Sequence, residues 1–319
     1  MVYQGLFWLD RRFSRRRRIR THFTISVGNL TLGGTGKTPF LQYLVKILQR
    51  QISPITILSR GYGGSMSKDG SSVPELGEPK FYGDEPVLHK NKFPNVQMII
   101  GKNRYKSFSK YNLDSSGFVI LDDGFQHHAL ERDLDIVLLD GERPLGNGFT
   151  LPLGSLREPY SHLVRAHAIV LTKTEPSQEF LKSLGRDFPE TPVFWAKAVQ
   201  RKLVPRFPIP NPSPTSIHLV TGVGNPKSVV RSLEEIGIKV LTKNFFRDHH
   251  PFSPQDLESL RDVRPLAMTT KDWIKWQSLD QGKDREGIFV LEEEWGASPG
   301  FEEWFLEKTS SFWNRSDSA

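Results

Sequence analysis

Residues 28–39, Gly-Asn-Leu-Thr-Leu-Gly-Gly-Thr-Gly-Lys-Thr-Pro, constrain this chain more than any other stretch. An apolar run, Phe-Thr-Ile-Ser-Val (23–27), precedes them and reads as a buried strand. A helical pattern follows, with Phe40, Leu44, Ile47 and Leu48 on one side and Leu41 and Val45 beside them. Pro39 falls in the first turn, where proline is tolerated. Strand, glycine loop and helix in this order form the context of a phosphate-binding loop, whose usual spelling is G-x-x-x-x-G-K-[ST]. The spelling fails at its first position, which is Thr31 where glycine is usual. The loop candidates are therefore Thr31, Leu32, Gly33, Gly34, Thr35, Gly36, Lys37 and Thr38. Glycines allow backbone N–H groups to approach phosphate oxygens closely. Lys37 can reach the β and γ phosphates, and the Thr38 hydroxyl can face Mg²⁺.

Further strand-length apolar runs lie at 55–59, 96–100, 118–121, 135–139 and 168–172. They are continuous rather than alternating, which suits strands of a parallel sheet buried on both faces. The expected fold is α/β, a phosphate-loop NTPase-like parallel sheet sandwiched by helices, spanning 23–200. Proline is dense over 201–215, which reads as a linker. Residues 216–319 read as a second, smaller α/β domain, with strands near 217–222, 265–270 and 288–293.

Charge is concentrated at the N-terminus. Residues 11–20 hold seven arginines, and net charge is +7, so the rest of the chain is formally neutral. A nucleic-acid groove would spread basic charge over a folded face, and no such partner is expected. Before the arginines, Val2, Leu6, Leu9 and Phe13 recur at helical spacing with Phe7 and Trp8 alongside. The segment 1–22 is too short and basic to span a bilayer. It reads either as an arm lying on an anionic membrane surface or as a solvated basic tail. The chain has no cysteine, which excludes disulfides and thiol chemistry and fits a reducing cytoplasm.

Other motifs supply acids and bases. In Phe-Val-Ile-Leu-Asp-Asp-Gly (118–124), Asp122 and Asp123 end a buried strand, where a metal-side carboxylate belongs. His127 and His128 are adjacent, so they cannot easily share one ion, and a structural role is expected. Asp84 and Glu85 open a helix-like stretch; Asp84 reads as a helix cap or as a base for an acceptor hydroxyl. Loops at 59–64, 146–159 and 245–252 carry Tyr62, Arg157, Asp248 and His249.

Taken together, Ser-Val-Gly-Asn-Leu-Thr-Leu-Gly-Gly-Thr-Gly-Lys-Thr-Pro, Ser-Arg-Gly-Tyr-Gly-Gly, Gly-Asp-Glu-Pro, Leu-Asp-Asp-Gly-Phe-Gln-His-His, Gly-Asn-Gly-Phe-Thr-Leu-Pro-Leu-Gly-Ser-Leu-Arg-Glu, Phe-Arg-Asp-His-His-Pro-Phe and Met-Thr-Thr-Lys-Asp resemble the tetraacyldisaccharide 4'-kinase family, in that order along residues 25–276. The spelling with Thr31 is typical of that family. The resemblance implies an ATP- and Mg²⁺-dependent kinase that phosphorylates the 4'-hydroxyl of a tetraacyl glucosamine disaccharide 1-phosphate, the lipid A disaccharide precursor. It implies a catalytic base at Asp84 assisted by His249, with Lys37 on the phosphates. It implies Thr38, Asp122, Asp123 and Glu85 at the metal, and Tyr62, Arg104 and Arg157 near phosphate or lipid. It implies a place at the cytoplasmic face of the bacterial inner membrane, with no obligatory protein partner. The resemblance departs at the N-terminus, where relatives carry a longer apolar helix. The alternative is a soluble phosphate-loop kinase or ATP-dependent ligase acting on a small metabolite.

Overall fold

The computed structural model describes residues 16–51, 53–207, 214–279, 286–310 and 312. The helical reading of residues 2–13 lies outside them. The first part of the chain runs β1 (His22–Asn29), α1 (Lys37–Gln49), β2 (Ile55–Ser59), β3 (Ser71–Ser72), α2 (Pro79–Tyr82), α3 (Asp84–Lys92), β4 (Gln97–Ile100), α4 (Arg104–Tyr111), β5 (Gly117–Asp122), β6 (Leu134–Asp140), β7 (Ala168–Thr172), α5 (Gln178–Asp187) and β8 (Val193–Pro205). The second part runs β9 (Ser216–Thr221), α6 (Pro226–Glu235), β10 (Lys239–Phe245), α7 (Pro254–Ser259), β11 (Leu266–Thr269), α8 (Thr270–Leu279), β12 (Ile288–Ala297) and α9 (Phe301–Ser310).

Among the described residues these strands form one 12-stranded sheet, ordered β10-β9-β11-β12-β8-β7-β6-β1-β5-β2-β4-β3. β1, β2, β5 and β7 are buried at every position, as continuous apolar runs require. β1 pairs in parallel with β5 on one side and β6 on the other. The chain fills the β5 side first and then the β6 side, so strand order reverses beside β1. Ligands of α/β sheets bind at such a switch point, outside the carboxyl ends of the strands. Register sets Val27 opposite Asp122, so the loop after β1 and the acids after β5 emerge together.

α1 buries Phe40, Leu41, Leu44, Val45, Ile47 and Leu48 against Ile25, Val27, Ile57 and Phe118. A separate core of Val220, Phe252, Leu266, Met268, Trp273, Trp276 and Val290 lies under the second part.

Two readings of the chain's division need correction. β8 runs through Arg201 to Pro205, so the first five residues read as linker are a strand paired antiparallel with β12. Its one proline, Pro205, is accommodated because it is the last residue of that strand. The C-terminal helix α9 also returns to the first unit. Phe301 and Phe305 are fully buried there, with the Phe301 ring 5.6 Å from that of Phe40. Truncating Phe301 to alanine would cost about 3–5 kcal/mol by the usual large-to-small cost in a core.

Candidate active site

The turn after β1 resolves the unusual Thr31. The Asn29 side-chain amide donates to the Thr31 carbonyl at 2.6 Å, and Gln126 Nε2 donates to the Asn29 carbonyl at 3.0 Å. Thr31 bridges to Leu156, while the N–H of Leu32 donates to the Ser155 carbonyl at 2.8 Å. The left-handed positions of the loop are instead Gly33 (φ 108°) and Gly36 (φ 80°). Threonine therefore sits where a Cβ brings no backbone strain. Gly36 is doubly required, because a Cβ there would lie 2.4 Å from the Trp295 ring. α1 begins directly after it, with no side chain capping its first N–H groups and no acid in its first turn. Those N–H groups and the positive end of the helix dipole make an anion site.

Three carboxylates face this loop. Asp122 is buried and accepts from Ser59 Oγ at 3.1 Å. Burial, with Glu85 and Asp123 adding negative charge, pushes its carboxyl up to about 7. The neighbouring Asp123 behaves oppositely. Burial would raise it, but Lys37 Nζ at 3.4 Å and Arg157, whose Nη1 is 2.7 and 2.9 Å from the two carboxylate oxygens, hold it below its ordinary range. Its backbone is left-handed (φ 52°), a strained conformation that the surroundings enforce. Arg104, buried, donates to the carbonyls of Asp122 and Asp123 at 3.1 and 3.3 Å and so braces this turn. Glu85 accepts from Thr38 Oγ1 at 3.0 Å and from Lys271 Nζ at 2.5 Å. Burial opposes its ionisation, yet Lys271 and Lys37 outweigh that and hold it near 2.

Asp84 opens α3. Gly83 occupies the N-cap with φ 91°, and the helix has no side-chain cap. The capping alternative for Asp84 thus has no hydrogen bond to carry it. Instead Asp84 Oδ2 lies 3.0 Å from His249 Nδ1, across 165 positions of sequence. That contact raises the pKa of His249 most; burial opposes it, and Asp248 adds to the rise. His249 is also left-handed (φ 58°). The exposed Tyr62 ring stands edge-on to its imidazole, 6.2 Å between centroids.

The structure thus gathers Lys37, Thr38, Asp84, Glu85, Asp122, Asp123, Arg104, Arg157, Tyr62 and His249 around one loop. His127 and His128 sit among arginines instead. Burial, with Arg104 and Arg132 nearby, takes His127 down to about 3, and His128 Nδ1 is 3.1 Å from Arg165 Nη1. Sequence reasoning quoted Met-Thr-Thr-Lys-Asp but assigned no role to Lys271, Lys275 or Asp272; a lysine pair four apart behind a buried strand was the available signal.

Among the described residues no group of three or more His, Cys, Asp or Glu side chains could hold a metal by itself. Mg²⁺, however, ordinarily takes one or two carboxylates together with phosphate oxygens and water. The Thr38 hydroxyl with Glu85 and Asp122 supplies hard oxygen donors of that kind. Burial raises Asp122 most, and the neighbouring charges of Glu85 and Asp123, which add to the rise, are what a divalent cation would relieve. The donor set fits the ion.

The model of the Tetraacyldisaccharide-1-P 4'-kinase family matches residues 2–310. A tetraacyldisaccharide 4'-kinase of Leptospira biflexa is 43% identical over 92% of this chain and 89% of its own length. One from Syntrophobacter fumaroxidans is 42% identical over 86% of this chain and 77% of its own. A crystal structure of the "apo" form of LpxK from Aquifex aeolicus in complex with ATP superposes with a TM-score of 0.72. It is 29% identical to this chain, covering 98% of it and 96% of the other.

Proposed function

The chain belongs to the Tetraacyldisaccharide-1-P 4'-kinase family, and from that membership we propose which of its residues carry the reaction and where. It is an ATP-using kinase of lipid A biosynthesis. Phosphoryl transfer depends on positioning and charge neutralisation more than on covalent help. The loop 31–38 and the N-terminus of α1 hold the triphosphate, with Lys37 on the transferring group. Thr38, Glu85 and Asp122 would hold Mg²⁺, which would supply positive charge to offset that of the phosphates. Asp123, tied to Lys37 and Arg157, keeps both cations aimed at the phosphates. Tyr62 borders the acceptor.

Asp84 orients the 4'-hydroxyl of the tetraacyl disaccharide 1-phosphate. As the hydroxyl oxygen bonds to the γ-phosphorus, the bond from that phosphorus to the bridging oxygen breaks and ADP leaves. The hydroxyl proton passes to Asp84 late, and His249 holds that carboxylate and shares the charge. The observation that carries this reading is the Asp84–His249 contact beside the Thr38–Glu85 hydrogen bond.

Purified protein given labelled ATP and the detergent-dispersed disaccharide 1-phosphate tests it. The expected product carries new phosphate at the 4' position by NMR. ATP hydrolysis without transfer, or transfer elsewhere on the sugar, overturns it.

The acyl chains of such a substrate stay in a bilayer, and we propose a peripheral position for the protein on the cytoplasmic face of the bacterial inner membrane. No helix among the described residues is long and apolar enough to cross a membrane. Arg16, Arg17, Arg18 and Arg20 are exposed together beside Tyr105 and supply the anionic-surface contact. Changing all four to glutamine should weaken binding to anionic vesicles by about 1 kcal/mol per charge. Unchanged binding at low salt removes this surface from membrane attachment.

A further inference from the structure

The dyad is part of a closed ring of contacts that continues through the second unit. From Asp84 Oδ2 the ring passes to His249 Nδ1 at 3.0 Å. The His249 backbone N–H donates to the Gly222 carbonyl at 3.0 Å. The Gly222 N–H donates to Asp272 Oδ1, also at 3.0 Å. Asp272 Oδ1 faces Lys275 Nζ at 3.9 Å, and that ammonium returns to Asp84 Oδ2 at 3.8 Å.

Each link has a physical reason. Asp272 is fully buried in the first turn of α8, and its other oxygen accepts from the hydroxyls of Thr221 and Thr269, each at 2.7 Å. A buried carboxylate with three donors and a cation is held rigidly. Gly222 follows β9 directly, so Asp272 pins the end of that strand, and through it the strained His249 backbone. Lys275 lies one turn along α8 from Lys271, on the same face. Its side chain is only 8% exposed, and its ammonium lies 5.5 Å from the centre of the Phe252 ring. Such a shielded charge acts strongly on what it faces. Both His249 and Lys275 reach the same oxygen of Asp84, Oδ2.

We propose that Lys275, anchored by Asp272, is a positioning residue that fixes the Asp84 carboxylate against His249, so that helix α8 of the second unit sets the aim of the base. This rests on the reading of Asp84 as the base, and the test separates the two.

Lys275→Met, Lys275→Arg, Asp84→Asn and the double variant Lys275→Met with Asp84→Asn are compared by kcat, ATP binding and melting temperature. Lys275→Met should lower kcat about 10²-fold, the size expected when a reacting group is misplaced by an ångström. ATP binding should stay at the wild-type level. Lys275→Arg, which keeps the charge, should recover most of the rate. In the Asp84→Asn background, Lys275→Met should cost little more, since groups acting as a unit are non-additive. Wild-type kcat in folded Lys275→Met, with Asp84→Asn crippled, overturns the inference and leaves the base in place. Losses that multiply in the double variant also overturn it, because a purely structural lysine gives that result. An active Asp84→Asn overturns the base and the positioning role together. If Lys275→Met does not fold, Lys275→Gln is read by the same criteria, and an arginine variant as damaged as glutamine refutes the role of the charge.

Discussion

The phosphate side and the acceptor side of this site are built differently. On the phosphate side, the loop and the acids come from the first unit, with Lys271 of the second unit bonded to Glu85. Loop 31–38 follows β1, Asp122 and Asp123 follow β5, and parallel register aligns the two ends at Val27 and Asp122. On the acceptor side, Asp84 comes from the first unit while His249, Asp272 and Lys275 come from the second. One side is set by adjacent strands of a rigid parallel sheet. The other exists only while two differently cored units keep their distance, across the antiparallel β8–β12 ladder. Damage to the acceptor-side residues of the second unit should therefore spare nucleotide binding and reduce transfer. Damage to the first unit should reduce both.

The sharpest way to break that contrast is Lys37→Ala. It removes a cation from the transferring phosphate, and turnover should fall on the order of 10³-fold with ATP binding weakened. A folded Lys37→Ala enzyme working near the normal rate would refute the phosphate side as described. Next in size come Asp84→Asn and His249→Ala, each expected to lower kcat about 10²-fold with ATP affinity retained. Their double variant should resemble the worse single one. ATP affinity falling in step with kcat would show that the two sides are not separable.

Arg157→Ala gives a smaller effect. It leaves Asp123 paired with Lys37 alone, which should draw that lysine off its aim and cost about tenfold, seen mainly in the KM for ATP. An effect on kcat alone would move Arg157 to the acceptor side.

The smallest effect is on stability. The folded-state pKa of His249 is raised, so its pairing with Asp84 stabilises fully below the ordinary histidine value of about 6.5 and is lost as pH rises through the raised value. The melting-temperature gap between wild type and His249→Ala should be largest in mild acid and close towards alkaline pH. His249 is half exposed, so solvent screening keeps the gap small. A gap that widens with pH contradicts the assignment of the charge.

Sequence alone determined the strand–loop–helix unit, the run of buried strands and the acids ending β5. Their signals are local: apolar runs of strand length, glycines where φ is positive, and a lysine and threonine opening a helix. It also carried the candidate residues Asp84 and His249, though only family likeness joined them, because no periodicity links positions so far apart. Strand β8 was hidden because its middle is polar and solvated: Lys197, Gln200, Arg201 and Lys202 interrupt its apolar residues and Pro205 closes it, a pattern that reads as loop. Helix α9 was assigned to the wrong unit because an amphipathic helix does not encode which core it will cover. The opposite pKa shifts of Asp122 and Asp123 could not be read either. The two are neighbours of identical chemistry, and only the fold turns one towards Ser59 and burial and the other towards Lys37 and Arg157. The ring through Lys275 was likewise invisible, since charge acts through space, and only tertiary structure sets the distances over which it acts.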